Sequence, residues 1–367
     1  MSDIVHHNFV NPMGPSSIID PRAANEHGAL SSRLRCPLCK QKLTSQNQAF
    51  SCSACGRTYP VVLGIPDLRI YSDPYITIEQ DHEKGRIVQA QAERMAFAEL
   101  LRFYWENVSL PPTPVDLREG FMRHLLSDET RFETLQQQLG AGKSCLDVGC
   151  GASSLVGLAQ RRFDLVIGCD VAFRWLVLAR KRLQEMGVAA NLVCCCADYL
   201  PFAPETFDVV TAISLLEHVK DAQAVVRECG RVQGPGARLF AWTANRFSLA
   251  PEPHVGVWGV GFLPRRWMPV YVKWCRGLSY DKLHLLSCFE VSRSFKNARY
   301  ESLRFSLPHV REEDLAGRGM FEKLGARFFR LLSGIPLFRW FLIPLSPALL
   351  VLAKKRRDDA LVPGVTA

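Results

Sequence analysis

After Gly142 the chain repeats one pattern: a short apolar run, a polar or glycine-bearing bend, then a stretch long enough for a helix. The runs are Cys145-Leu146 before Asp147, Leu165–Cys169, Leu192–Cys194, Phe207–Val210 and, after the turn Gly234-Pro235-Gly236, Ala237–Trp242. Apolar strands that alternate with helices are buried on both faces, so this half predicts a parallel α/β sheet with helices on both sides. The 367 residues, 48% of them hydrophobic, suffice for one large domain of this kind plus a small one, and exclude a wholly disordered or fibrous chain.

Upstream the organisation is different. Residues 1–32 are rich in Pro, Ser, Asn and Gly without periodicity and read as a tail. Ile87, Val88, Met95, Phe97, Leu100, Leu101 and Tyr104 predict one helix across Glu79–Val108, stopped before Pro111-Pro112-Thr113-Pro114. A second helix is predicted over Asp128–Leu139, capped by Ser127 or Asp128 and ended by Gly140.

Residues 33–71 form a cysteine module. Cys36-Pro-Leu-Cys39 and Cys52-Ser-Ala-Cys55 are two knuckles separated by twelve residues. Each knuckle can bend two thiolates onto one ion, and together they complete a tetrahedral four-sulfur zinc site with no position left for water, hence a structural metal. The thirteen cysteines do not suggest secretion, since the first thirty residues lack an apolar run long enough for a signal peptide. The triplet Cys194-Cys195-Cys196 would risk mispairing in an oxidising compartment, so a reducing cytoplasm is expected. The run Tyr59-Pro60-Val61-Val62-Leu63-Gly64-Ile65-Pro66, behind these knuckles, resembles the end of a Trm112-like zinc ribbon. The resemblance implies a small scaffold that docks on a methyltransferase, here fused into one chain.

The sharpest chemical signal is Cys145-Leu146-Asp147-Val148-Gly149-Cys150-Gly151. A strand running into a glycine bend lets backbone approach a nucleotide-like cofactor. A dinucleotide fingerprint would have a third glycine where Ser154 stands, and Asp147 would repel a pyrophosphate. A cofactor carrying an ammonium and a sulfonium, as S-adenosylmethionine does, reverses that sign. Asp170 follows the second run, 19 residues after Gly151, placed to bridge ribose hydroxyls. Asp198 follows the third, placed to meet the exocyclic amine of adenine.

Taken together, L-D-V-G-C-G at 146–151, C-D at 169–170, A-D-Y-L-P-F at 197–202, F-D-V-V at 207–210 and L-E-H-V at 216–219 resemble the class I S-adenosylmethionine-dependent methyltransferases of the ubiquinone-biosynthesis type. The resemblance implies a Rossmann-like seven-stranded sheet ending in an antiparallel pair near Tyr300–Leu307 and Ala348–Lys354. It also implies a cofactor cleft built from Asp147, Gly149, Cys150, Gly151, Asp170, Val171, Asp198 and Tyr199. The expected division is 1–32 tail, 33–71 ribbon, 72–140 helical linker or cap, 141–357 methyltransferase domain and 358–367 tail. A substrate insertion is expected at about 246–300, and an apolar basic segment at about 323–347.

Methyl transfer to a hydroxyl needs donor and acceptor held close and the acceptor deprotonated. Candidate bases are Glu217 and His218, past the fourth strand, and His254 in an insertion of small and aromatic residues. Related ubiquinone-pathway enzymes carry E-x-x-E-H and a divalent metal; Ser214-Leu215-Leu216-Glu217-His218 lacks one carboxylate, so no catalytic metal is expected. Glu217 and His218 would otherwise simply begin the next helix.

The net charge of +9 is concentrated late: residues 323–357 hold eight basic and no acidic side chains. Residues 335–353 are apolar but broken by three prolines and Arg339, which favours a flap at an anionic lipid surface, or a buried helix, over a membrane span. The primary expectation is O-methylation of a small-molecule, lipid- or glycan-linked hydrophobic acceptor by a cytoplasmic protein peripheral to the inner face of the membrane. An RNA base methyltransferase is the alternative, favoured by the ribbon and the charge but lacking an N-P-P-[YF] tetrapeptide to hold a flipped base. The intact acidic and glycine positions speak against a scaffold without chemistry.

Overall fold

The computed structural model describes residues 30–46, 48–109, 114–127, 135, 139–308, 315 and 319–357. The expected tails, up to residue 29 and from 358, and most of the helix expected over Asp128–Leu139, lie outside these.

The cysteine module folds as a four-stranded antiparallel sheet in the order β1 (Thr44–Gln46), β2 (Ala49–Ser51), β3 (Thr58–Val62), β4 (Ile65–Pro66). So few strands bury little by themselves, and the module shares a core with the main domain: Leu34, Cys36, Phe50 and Phe202 belong to one buried cluster. Two backbone seams fix it there. Leu68 N–H donates to the Cys194 carbonyl at 2.8 Å, and Arg35 N–H to the Pro201 carbonyl at 2.9 Å.

Corrections begin with the helices. The single helix expected over Glu79–Val108 is two, α1 (Ile78–Ala92) and α2 (Phe97–Asn107). Thr77 caps the first through a capping box with Gln80, while Glu99 and Glu185 take the first amides of the second. The five-residue step from Ala92 to Phe97 breaks the 3.6-residue repeat, so α2 turns its own apolar face, Phe97, Leu100, Leu101 and Tyr104, to the core. Ser127 closes α3 (Val115–Leu126), for which no sequence expectation was made.

The main sheet has seven strands in the order β10-β11-β9-β8-β5-β6-β7. These are β5 (Gly142–Val148), β6 (Phe163–Asp170), β7 (Leu192–Cys194), β8 (Phe207–Ile213), β9 (Gln233–Ala244), β10 (Tyr300–Ser306) and β11 (Ala348–Lys355). The first five pair in parallel; β11 is antiparallel to both β9 and β10, as expected. Successive residues feed opposite faces, so β5 sends Leu146 and Val148 to one cluster and Cys145 to the other. One face is covered by α6 (Ala222–Val232) and α8 (Cys288–Asn297), the other by α5 (Phe173–Glu185), α1 and α2. Between β5 and β6 lies the short α4 (Ser154–Ala159).

Three further elements lie outside the sheet layers. A small cluster of Ala244, Val255, Val257, Val260, Met268, Val272, Tyr280 and Leu285 organises the insertion around α7 (Met268–Arg276). The apolar basic segment forms α9 (Met320–Ser333) and α10 (Pro336–Leu342), then a turn into β11.

Candidate active site and cofactor cleft

Parallel strands deliver their carboxyl ends to one edge of a sheet, where the bends between strand and helix expose backbone amides and polar side chains. Here those bends carry most of the expected residues. Gly149 and Gly151 both adopt positive φ, +73° and +48°, which side-chain-bearing residues rarely take. A Cβ at Gly149 would lie 2.9 Å from Leu215 Cδ1, whereas one at Gly151 would project into open space. Gly149 and Cys150 amides donate to the Cys169 carbonyl, locking this bend onto the end of β6.

Asp147 is buried at the end of β5, and its Oδ1 accepts from Thr211 Oγ1 at 2.7 Å. Burial pushes its carboxyl up to about 7, and among the described residues no ion pair offsets this. A nearby cation would favour the ionised form of such a buried acid, which fits the ammonium of the expected cofactor and not a phosphate. Asp170 accepts from Gly151 N–H at 2.9 Å and from Ala172 N–H at 2.8 Å, and burial raises its pKa as well. Both oxygens are thus held by backbone amides of the bends after β5 and β6. The Val171 carbonyl accepts from Arg69 Nη1 at 3.0 Å.

Asp198 holds a partner absent from the sequence reading: the Tyr71 hydroxyl donates to it, and the Tyr71 and Tyr199 rings meet edge-on with centroids 6.5 Å apart. The chain leaving the cysteine module therefore reaches the segment that follows β7. That chain is anchored by a buried ion network. Arg69 pairs with Asp67 at 2.6 Å and with Asp81 at 2.7 Å; Arg174 pairs with Asp81 at 2.9 Å and with Asp73 at 3.0 Å. Asp81 also accepts from the amides of Phe173 and Arg174, capping α5 from outside its own helix.

The three candidate bases come together. Glu217 and His218 lie in a 3-10 turn after β8, not at the start of α6, which Asp221 caps three residues later; the expected alternative, that they merely begin a helix, does not hold. One ligand atom from each of Glu217, His218 and His254 falls within 4.8 Å of the others, and the two imidazoles meet edge-on at 4.8 Å. Glu217 is buried, accepting from Thr243 Oγ1 at 2.7 Å and from Ala244 N–H at 3.3 Å. His254 Nδ1 lies 2.6 Å from Glu252 Oε1, while Glu252 Oε2 accepts from the His254 and Val255 amides. Burial, with a smaller contribution from the neighbouring His254, lowers the pKa of His218 below that of an ordinary histidine, against the pull of Glu217. His254 is half-buried, and the Glu252 carboxylate outweighs the effect of that burial and raises its pKa. Two residues that sequence reasoning missed complete the cluster: Glu252, and Tyr280, whose buried hydroxyl has no hydrogen-bond partner among the described residues and feels both Glu252 and Glu217. Nothing in their spacing marks them, because the insertion's fold brings them there.

In the cysteine module Cys36 and Cys55 Sγ lie 3.6 Å apart, Cys39 and Cys52 Sγ 3.4 Å, and all four sulfurs within 4.8 Å of one another. A tetrahedral zinc with bonds of about 2.3 Å sets its sulfurs about 3.8 Å apart, so the donor set and its spacing fit that ion. The Tyr59 hydroxyl, 3.3 Å from Cys36 Sγ, is the kind of outer partner that steadies a ligand thiolate.

Comparison with known proteins agrees with this geometry. Residues 146–241 match the methyltransferase domain family and residues 29–64 the Trm112p-like protein family. A ubiquinone biosynthesis O-methyltransferase of Pseudomonas paraeruginosa is 40% identical over 118 residues, 32% of this chain and 51% of that protein. The one of Coxiella burnetii (strain Dugway 5J108-111) is 32% identical over 129 residues, 35% of this chain and 55% of that protein. The chain thus spans about half the length of the curated relatives it matches. A YcgJ protein of Bacillus subtilis superposes at a TM-score of 0.41 with 18% identity over 62% of this chain and 98% of that one, too loosely to argue from. Residues 146–241 thus resemble a methyltransferase domain and residues 29–64 a Trm112p-like segment, in keeping with the seven-stranded order and the four-cysteine cluster.

Proposed function

We propose that the chain is an S-adenosylmethionine-dependent methyltransferase that methylates an oxygen of a small, hydrophobic or lipid-linked acceptor. The observation that carries this reading is the meeting of two features at one sheet edge. One is the strand ends that carry the buried Asp147, which has no ion-pair partner among the described residues, with Asp170 and Asp198. The other is a histidine cluster at the ends of β8 and β9. S-adenosylmethionine, when bound, supplies the electrophilic methyl group.

In this reading Asp147 faces the cofactor's cationic end, Asp170 its ribose and Asp198, with Tyr71 and Tyr199, its adenine. Gly149, Cys150, Gly151 and Val171 provide the backbone wall. Glu252 fixes the His254 tautomer with Nδ1 protonated, leaving Nε2 to take the acceptor's hydroxyl proton. His218, kept neutral by burial, and Glu217 shape the acceptor side, and the Tyr280 hydroxyl is free to donate to the acceptor. Cys36, Cys39, Cys52 and Cys55 hold a structural zinc, and the division near residues 32, 71, 140 and 357 separates tail, ribbon, helical cap, catalytic domain and tail. A hydrophobic acceptor agrees with the relatives' printed role in ubiquinone biosynthesis and with peripheral residence at an anionic membrane.

The test is transfer of labelled methyl from S-adenosylmethionine. Zinc-loaded protein is incubated separately with phenolic and quinol lipids, with a bacterial lipid extract, and with ribosomal and transfer RNA. Label in an alkali-stable methyl ether of the organic phase supports the reading; label confined to RNA overturns it.

A further inference from the structure

We propose that α9 and α10 form an interfacial platform that seats this protein on an anionic bilayer, with the acceptor end of the sheet turned toward the lipid. The inference rests on the reading of a membrane-borne acceptor only for its purpose; the binding itself stands on the helices.

An amphipathic helix normally hides its apolar stripe against a core. α9 does the reverse. Met320, Leu324, Phe328 and Leu331, spaced four, four and three residues apart, share one face and are 60–75% exposed. In α10 no residue is buried, and Leu337, Trp340 and Phe341 are 69–80% exposed. Large apolar side chains gathered this way on a short segment mark a surface that something covers.

Charge selects the occupant. Between Met320 and Leu342 the basic residues are Lys323, Arg327, Arg330 and Arg339, against the single acid Glu322, a net +3. A second copy presenting the same face would set like charge against like, whereas anionic headgroups complement the net positive charge of the segment. At about 21 Å, fourteen helical residues are too short for a bilayer core of about 30 Å, and among the described residues no helix is long and apolar enough to cross a membrane. The pair therefore lies on the surface.

Its attachment gives the platform a direction. The turn that follows α10 is held by Asn245 Nδ2, which donates to the Pro344 and Ser346 carbonyls at 2.9 and 2.8 Å, and by Leu249 N–H, which donates to the Leu345 carbonyl at 3.1 Å. Asn245 directly follows β9, whose last residues, Thr243 and Ala244, hydrogen-bond Glu217. The lipid-facing helices and the histidine cluster are thus tied to the same strand end, the arrangement an enzyme needs if its acceptor is drawn from the bilayer.

The experiment is vesicle flotation of zinc-loaded, full-length protein. The vesicles are phosphatidylcholine alone or phosphatidylcholine with 30% phosphatidylglycerol, at low and high salt. The double variant Phe328→Asp, Trp340→Asp is run alongside, and S-adenosylhomocysteine binding and analytical ultracentrifugation are measured on both proteins. Flotation only with the anionic vesicles, weakened by salt and at least tenfold lower in the double variant while its S-adenosylhomocysteine affinity is unchanged, is the expected result. Failure to float, or equal flotation of the double variant, overturns the platform. So does a concentration-dependent dimer that the variant abolishes, which would make the face an interface between copies. Flotation without S-adenosylhomocysteine binding would retain the platform and refute the methyltransferase reading, so the two can fail separately.

Discussion

Asp147→Asn separates the cost of the cofactor acid from its use. Asparagine keeps the shape and the Oδ1 that accepts from Thr211, and removes only the charge. Burial holds the wild-type carboxyl near 7 against an ordinary 3.8. Below about pH 4 the acid is protonated in folded and unfolded chains alike and the shift has no effect. Between about 4 and 7 the folded state retains a proton that the unfolded state has lost, so stability falls as pH rises. Above 7 the full cost applies, on the order of 4 kcal/mol at 1.36 kcal/mol per pH unit. The ligand-free variant should therefore melt higher than wild type at pH 8 and about level with it at pH 4. The wild type should recover much of the difference on adding S-adenosylmethionine, and calorimetry should show its affinity for that ligand rising with pH through about 7. The variant should bind at least 100-fold more weakly, with no such slope. A variant less stable than wild type at pH 8, or one that binds the cofactor undiminished, would refute the assignment of Asp147 to a cationic ligand.

Other outcomes follow from the same geometry. Replacing Glu252 with Gln should lower the His254 pKa from above 6.5 to below it in an NMR titration of the imidazole protons, leaving cofactor binding intact. Methyl transfer by the wild type should rise with pH as His254 loses its proton, and His254→Gln should slow turnover by about 100-fold. Arg174→Met leaves Asp73 buried without its cation and Asp81 with Arg69 alone, and should cost about 3–5 kcal/mol in chemical denaturation, because an unpaired buried carboxylate is far worse than no ion pair at all. Metal analysis should find one zinc per chain, and Cys39→Ser should lose it and lower the melting temperature, since the ribbon shares its core with Phe202 and the sheet.

How much of this was legible depended on how local the cause was. The strands could be read because burial on both faces leaves them nearly uniformly apolar, and the glycine bend because few residues other than glycine tolerate its φ. The zinc ribbon could be read because its ligands come in close pairs. The break between α1 and α2 was hidden, since Gln91–Ala96 holds no proline or glycine and only the shift of the apolar face reveals it. Asp81 looks like an ordinary acid in a helix's first turn; its role as a buried partner of Arg69 and Arg174 and as a cap for α5 exists only once α1 crosses that helix. His218 and His254 could be named as candidates singly, but their meeting, and the support of Glu252 and Tyr280, depends on how the insertion folds back over the ends of β8 and β9. Tyr71 escaped for a similar reason, being far in sequence from the Asp198 it touches.

The most direct measurement is equilibrium dialysis of the zinc-loaded chain against radiolabelled S-adenosylmethionine, with S-adenosylhomocysteine and the nicotinamide dinucleotides as competitors. One saturable site per chain, displaced by S-adenosylhomocysteine and indifferent to the dinucleotides, is expected. Retention of the label only until a dinucleotide is added, or no retention at all, would contradict the identification of this cleft.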